Sequence, residues 1–192
     1  HVSVDAYNDT WSLVTLAASD GNFYFAKSEQ DGGSTSPLWE DSGQTTYQKA
    51  PPIEQDVTMV AKASAANDEH IFLGYSYDSE SSDRSYLEVR PISESGIGDP
   101  VGSLSLPGGV VHQIVVQDDY LFIAHDAVGI SIVNIETPST PTFAHSTAAE
   151  AGSAVSNLDV HDGVVWVAAT DRIGRMSLEP TTPPTFDSEN QT

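Results

Sequence analysis

The stretch "DDYLFIAHD" at residues 118–126 places two acids before an alternating apolar run and ends in a histidine and a further acid. The same order of side-chain types returns in "DGNFYFAKS" from Asp20, "DEHIFLGYS" from Asp68 and "DGVVWVAAT" from Asp162. Each copy begins with Asp, skips two positions and continues with an apolar residue, an aromatic residue, an apolar residue and Ala or Gly. The four Asp residues are 48, 50 and 44 residues apart, a spacing typical of propeller blades or solenoid units.

The segments that flank each copy have the period of strands. "VHQIVVQ" and "GISIVNIE" surround the third copy, and Gly, Pro, Asp and Ser turns separate them without an amphipathic helix. The sequence therefore predicts an all-β fold, a β-propeller of four antiparallel blades in a single domain over residues 1–192. The predicted blades cover residues 8–50, 51–107, 108–150 and 151–192. We expect "HVSVDAY" at residues 1–7 to close the ring on the last blade; the alternative is four blades of a larger propeller.

The repeated Asp has a structural interpretation. It falls at the predicted tight turn between the first and second strands of each blade, where Asp bonds nearby backbone and Gly accepts a positive φ. The alternating residues that follow predict a second strand with two buried faces, in which Ala or Gly lets the adjacent sheet approach.

The segment "DDYLFIAHDAVGISIVNIETPSTPTF" resembles the LVIVD-type β-propeller repeat. That repeat has a Tyr-Val-Ala-Asp-like strand, a Gly, a Leu-Val-Ile-Val-Asp-like strand and a Pro-containing turn. Ile130, Ile132, Val133 and Asn134 fall on the second motif, with Asn134 where the family usually has Asp. The resemblance implies the propeller fold and a secreted or surface-attached protein, without implying a chemistry.

The net charge of the chain indicates which classes of partner to expect. Asp and Glu number 28 against 7 Lys plus Arg, which gives a formal net charge of −21. Nucleic acid is excluded as an expected partner, because its binding depends on Lys and Arg at the phosphates. The acid-rich, lysine-poor composition resembles that of haloarchaeal proteins and their viruses. We therefore expect an extracellular, cell-surface or virion-surface location in a halophile, where salt near 1 M shortens the Debye length to about 3 Å.

The sequence lacks the signatures of membrane-spanning proteins and of several enzyme families. No stretch reaches the roughly 20 apolar residues of a membrane span, so no direct membrane insertion is expected. The chain opens on His1 without a basic and apolar leader, which predicts a mature or trimmed product. It has no cysteine and no G-x-S-x-G, H-E-x-x-H, Walker or EF-hand motif. The prediction is a protein that is not an enzyme and needs no cofactor.

Two long connections predict a binding face, because insertions in repeat proteins cluster in loops on one side. The first is "SEQDGGSTSPLWEDSGQ" at residues 28–44, and the second is "YDSESSDRS" at residues 77–85. An exposed Trp in a polar loop suits a partner anchor. The favoured alternative is that Trp39 packs against its own blade or belongs to the third strand of that blade, because large aromatics are usually buried. The candidate binding residues are Trp39, Leu38, Glu40, Asp78, Glu80 and Asp83.

Polar residues on the predicted first strands are candidates for a lining of the central channel. They are Asp56, Thr58, His112, Gln113, Ser156 and Asn157. Their oxygens, with one imidazole, would suit Ca²⁺ or another metal, but channel-lining polar groups mostly bind water and no metal is predicted. His125 and Asp126 adjoin in sequence, yet neighbouring strand residues point to opposite faces and do not form a catalytic pair.

Three functions fit these observations. The first is a non-enzymatic, surface-displayed propeller that contacts a protein or glycan surface, alone or within a larger assembly. The second is a decoration, spike or host-attachment component of a haloarchaeal virion. The third is a small metal-dependent hydrolase with its site in the channel. The missing catalytic signatures and unequal loops favour the first two.

Overall fold

The chain folds entirely into β-structure over the residues described by the computed structural model. These are residues 11–19, 22–29, 38–41, 48–49, 59–77, 85–93, 96–125, 129–147, 155–161, 163–169 and 173–177, with the backbone alone before residue 61. The strands are β1 (Trp11–Ser19), β2 (Asn22–Glu29), β3 (Leu38–Asp41), β4 (Gln48–Lys49), β5 (Met59–Ala66), β6 (His70–Tyr77), β7 (Ser85–Ser93), β8 (Gly96–Ile97), β9 (Gly102–Leu106), β10 (Val111–Gln117), β11 (Tyr120–His125), β12 (Gly129–Asn134), β13 (Thr142–Thr147), β14 (Val155–His161), β15 (Val164–Ala169) and β16 (Ile173–Ser177). The predicted all-β class is confirmed.

The strands form four antiparallel sheets, which follow one another along the chain. The first sheet contains β1 to β4, the second β5 to β9, the third β10 to β13 and the fourth β14 to β16. Within the second sheet, β8 and β9 both pair with β7, at its end and along its first half respectively. Each sheet lies within one of the four sequence units, while the outer limits of those units stay a prediction.

Tight turns join the first and second strands, at the positions predicted from the repeated Asp. Gln117 pairs with Tyr120 across Asp118 and Asp119, and Asp118 takes a φ of 52°. His161 pairs with Val164 in the same way, with Gly163 at a φ of 77°. Both residue types tolerate this left-handed backbone.

In the second sheet, the side chain of Asn67 contributes to the turn between β5 and β6. Asn67 Oδ1 accepts hydrogen bonds from the amides of Glu69, at 3.1 Å, and His70, at 2.8 Å. The backbone amide of Asn67 also donates to the carbonyl of His70 at 3.0 Å. The residue before the repeated Asp therefore helps to hold this turn through its side chain and its backbone.

The second strands were expected to be buried on both faces. This is confirmed for β6 and β11, where residues 71–76 and 121–125 are all buried. It is wrong for β15, in which Trp166 is 43% exposed. The reason is packing: one face of the fourth sheet covers the third, and the other face meets no comparable sheet among the described strands.

Consecutive sheets pack face to face. Phe72 and Val89 of the second sheet share one buried cluster with Leu121 and Ile123 of the third, and Phe122 of the third shares another with Val165 of the fourth. The first strands of consecutive sheets contact one another, β1 with β5, β5 with β10 and β10 with β14. Among the described strands, no comparable contact joins β14 to β1. The predicted pairing of residues 1–7 with the last blade lies outside the described residues.

Small residues permit this close stacking, as predicted. A Cβ added to Gly74 in β6 would lie 2.7 Å from Val111 Cγ1 and 3.0 Å from Ile114 Cδ1 of the third sheet. Ala124 occupies the same repeat position in β11 and is fully buried. The spacing between sheets therefore depends on a minimal side chain at this position.

Candidate functional site

A β-bulge interrupts the first strand of every sheet at the same place. In β10, Val111 pairs with His125 and Gln113 with Ala124, so His112 is the extra residue. The extra residues in the other three first strands are Val14, Lys62 and Ser156. Because a bulge re-aims side chains and increases local twist, these four positions on the first strands, here called the bulge residues, are the candidate site.

Two of the predicted channel residues lie at the bulge of β10. His112 is exposed and Gln113 is half-buried. Gln113 Oε1 accepts a hydrogen bond from the backbone amide of Leu158 at 2.5 Å. This side chain therefore holds β10 against β14, which is a structural role that its amide performs without a ligand.

The other two described channel residues lie at the bulge of β14. Ser156 Oγ donates to the carbonyl of Ala168 at 3.3 Å, and Asn157 Nδ2 donates to Ser156 Oγ at 3.2 Å. Both residues are exposed. The structure thus brings Gln113, Ser156 and Asn157 to one pair of neighbouring strands, where Gln113 and Ser156 bond to backbone groups and Asn157 bonds to the Ser156 hydroxyl.

The sequence contained a signal for the bulge residues that the prediction did not use. Each lies six residues before the repeated Asp, and Lys62, His112 and Ser156 are polar at that aligned position. A polar residue that recurs at one point of a first strand indicates a shift of register there. Lys62 was missed because alternation alone was used to interpret these strands. Val14 carries no such signal, because an apolar residue fits an unbroken strand equally well.

The second sheet contains a buried polar cluster that the sequence analysis also missed. Arg90 Nε donates to Glu88 Oε1 at 2.7 Å, and the two side chains are 0% and 3% exposed. Arg90 Nη1 donates to the carbonyl of Gly98 at 3.2 Å. The rings of Tyr75 and Tyr86 stack with centroids 4.6 Å apart and planes 4° apart. We call Tyr75, Tyr86, Glu88 and Arg90 the buried cluster.

Burial dominates the ionisation of this cluster. It raises the pKa of Glu88, although the neighbouring Arg90 guanidinium lowers it. It also raises the pKa of the Tyr75 phenol well above 10.0, and the Glu88 carboxylate adds to this increase. Buried groups with raised pKa values are often catalytic, but Tyr75, Glu88 and Arg90 are at most 2% exposed, whereas Tyr86 is half-buried. The Glu88–Arg90 pair joins two positions of one strand.

The predicted loop face falls partly within a strand. Leu38, Trp39 and Glu40 belong to β3, which pairs with β2 on one side and β4 on the other. Leu38–Asp41 is thus the third strand of its sheet and not part of a loop, which is the favoured alternative for Trp39. The remaining candidates lie outside the described residues: Asp78, Glu80, Asp83, Asp56 and Thr58.

His125, in the stretch at residues 118–126, is not a candidate catalytic residue. His125 is fully buried at the end of β11, where it pairs with Val111 and Gly129. Its neighbour Asp126 lies outside the described residues. The described half of this pair is part of the core, so the interpretation of residues 118–126 as a structural repeat is the one that fits.

The described residues contain neither a cluster of metal ligands nor a membrane-spanning helix. In the ranges with described side chains, no three His, Asp or Glu residues lie close enough together to hold a metal ion. The described residues also include no helix of the length and apolarity that a membrane crossing requires.

Comparisons with known proteins bear on the fold. No protein-family model matches the chain, and no curated protein sequence matches it. The chain is similar to the solved structure of a computationally designed protein called Ika4, with a TM-score of 0.62 and 14% identity over 92% of this chain and 96% of that one. It is also similar to a structure from a study of two prolyl endopeptidases, with a TM-score of 0.56 and 12% identity.

A third similar structure is an engineered GH43 glycoside hydrolase, with a TM-score of 0.50 and 11% identity. The matches cover 90% and 89% of this chain but only 26% of the peptidase chain and 39% of the hydrolase chain. The chain therefore spans well under half of either enzyme. At these identities the likeness concerns the fold alone, which is all-β, antiparallel and propeller-like.

Proposed function

We propose that this protein is a non-catalytic binding module, displayed at a cell or particle surface in high salt, whose four sheets are the blades of a β-propeller. The role of its central polar residues supports this proposal. Gln113 and Ser156 make hydrogen bonds to the backbone of neighbouring strands. In a catalytic channel the same residues would have to contact a substrate or metal instead.

The charge of the chain supports the high-salt setting. A net charge of −21 on 192 residues produces self-repulsion in dilute buffer, which concentrated salt screens. We expect the melting temperature followed by circular dichroism to be higher in about 2 M KCl than in about 0.1 M KCl. Equal melting temperatures at the two concentrations would remove the halophilic part of the proposal.

Binding to intact haloarchaeal cells tests the function itself. Fluorescently labelled protein is mixed with cells in about 2 M KCl and sedimented, and the bound fraction is compared with that of an unrelated acidic protein of similar charge. The proposal predicts saturable binding that unlabelled protein displaces. Binding no greater than that of the control would overturn it.

Treatment of the cells identifies the class of partner. Protease removes protein receptors, whereas periodate cleaves the vicinal diols of glycans. The loop-face prediction is tested in the same assay with Trp39→Ala, which is expected to weaken binding if β3 and its adjoining loops contact the partner. Unchanged binding by this variant would place the contact elsewhere on the molecule.

A further inference from the structure

The outer face of the fourth sheet carries an exposed row of unlike side chains. Asp159, Trp166 and Arg175 are directly opposite one another across β14, β15 and β16, and all three are exposed. Directly opposed residues have Cβ atoms about 5 Å apart. The next row contains Asn157, which is exposed, and Ile173, which is 66% exposed. We call these five residues the Trp166 face.

The same row is buried in the two preceding sheets. Trp166 stands four residues after its Asp, as do Phe72 and Phe122, which are both fully buried. Apolar residues flank both of those aromatics. The flanks are Ala65 and Val89 in the second sheet, and Val115 and Ile132 in the third.

Of the second, third and fourth sheets, only the fourth has charged residues in place of the apolar flanks. Asp159 takes the position of Ala65 and Val115, and Arg175 takes that of Val89 and Ile132. Covering the row with another apolar sheet would desolvate both charges, which is unfavourable. Among the described residues no other sheet covers this row, so its charges stay in contact with water beside a large aromatic.

We propose that the Trp166 face binds a neutral saccharide, an inference that rests on the proposed binding function. A pyranose ring has an apolar face of C–H groups and an edge of hydroxyls. The indole of Trp166 offers a flat apolar surface for the first. Asp159 accepts hydrogen bonds, Arg175 donates them and Asn157 does both, which suits the hydroxyl edge. The net charge of −21 disfavours acidic saccharides.

A saccharide array tests this site directly. Labelled full-length protein is applied, in about 2 M KCl, to immobilised neutral, N-acetylated and anionic saccharides. We expect binding to at least one neutral class and weaker binding to the anionic ones. Trp166→Ala should lower the apparent affinity for that class by about tenfold or more, and Trp166→Phe should restore part of it.

Phe143 provides the matched control. It is an aromatic residue of equal exposure, 42%, on β13 of the third sheet. Phe143→Ala is expected to leave saccharide binding unchanged, and circular dichroism checks that both variants keep their β-structure. The proposal is overturned if no neutral saccharide binds, or if Trp166→Ala binds as the wild type does.

The outcomes separate this inference from the proposed function. Cell binding that protease abolishes and periodate leaves intact would keep the binding module and overturn its saccharide site. Saccharide binding that Trp39→Ala abolishes and Trp166→Ala does not would likewise keep the function but reject this face. Saccharide binding lost in Trp166→Ala, with periodate-sensitive binding to cells, would support both.

Discussion

The aromatic residue of the repeat is buried in the third sheet and exposed in the fourth. In the third sheet, Phe122 lies between Val115 and Ile132 and is fully buried against the fourth sheet. In the fourth, Trp166 lies between Asp159 and Arg175 and is 43% exposed. The aromatic residue marks the position in the repeat, but its two cross-strand neighbours decide whether another sheet covers it. A repeat position therefore acquires its role from the residues directly opposite.

The largest expected effect is on the free energy of unfolding, which should fall more in Phe122→Ala than in Trp166→Ala. Phe122→Ala should lower the free energy of unfolding by about 3–5 kcal/mol, because it leaves a cavity between two sheets. Trp166→Ala should cost about 1–2 kcal/mol, since part of the indole already contacts water. Urea denaturation in concentrated KCl measures both values, and equal costs would contradict the difference in burial.

A second comparison concerns a buried and an exposed arginine. Arg90→Met should lower the free energy of unfolding by about 3 kcal/mol at neutral pH, because it leaves the Glu88 carboxylate buried without its partner. Arg175→Met on the open face should cost less than about 1 kcal/mol. Similar losses in the two variants would break the contrast between covered and open faces.

The pH dependence of the Arg90→Met penalty follows from Glu88. Burial raises the pKa of this carboxyl in the folded protein, so the folded state holds the proton more tightly than the unfolded chain. The stability contribution of Glu88 is thus fully present below its ordinary pKa and is lost as the pH rises through the raised folded value. We expect the Arg90→Met penalty to shrink as the pH is lowered from 7 towards about 4.5. A penalty that grew on acidification would contradict this assignment.

A third variant converts one face into the other. Replacing Asp159 with Val and Arg175 with Ile gives the fourth sheet the flanking residues of the third. The resulting uncovered apolar row should promote self-association, with the weight-average mass roughly doubled at high protein concentration. Analytical ultracentrifugation compares the double variant with the wild type. An unchanged mass would mean that the charges do not keep this face open.

The smallest expected effect concerns the turns. Asp118 has a φ of 52° in the third sheet, and Gly163 a φ of 77° in the fourth. Asp118→Gly should change the free energy of unfolding by less than about 0.5 kcal/mol, while Asp118→Val should cost about 1–2 kcal/mol because a β-branched residue resists this backbone. Thermal unfolding distinguishes the two, and equal stability of the variants would contradict a left-handed Asp118.

The sequence predicted those features that depend on neighbours along the chain. Turns at the repeated Asp, strands with a period of two and the small residue at Gly74 are local patterns, and the structure has them where they were expected. The exposure of Trp166 was missed because its environment depends on what packs across the sheet. Arg90 and Glu88 were missed for a related reason: two charges on a strand normally indicate a solvated face, and only their pairing permits burial.

The shared bulge changes how insertions and deletions in this chain should be interpreted. In β10, Val111 and Ile114 are buried three residues apart, and in β14 Val155 and Leu158 have the same spacing. Because of the extra residue between them, the alternation of buried and exposed positions shifts by one residue at this point of the strand. Deleting His112 or Ser156 would not simply shorten a strand. It would invert one end of the strand and turn Val111 or Val155 towards solvent.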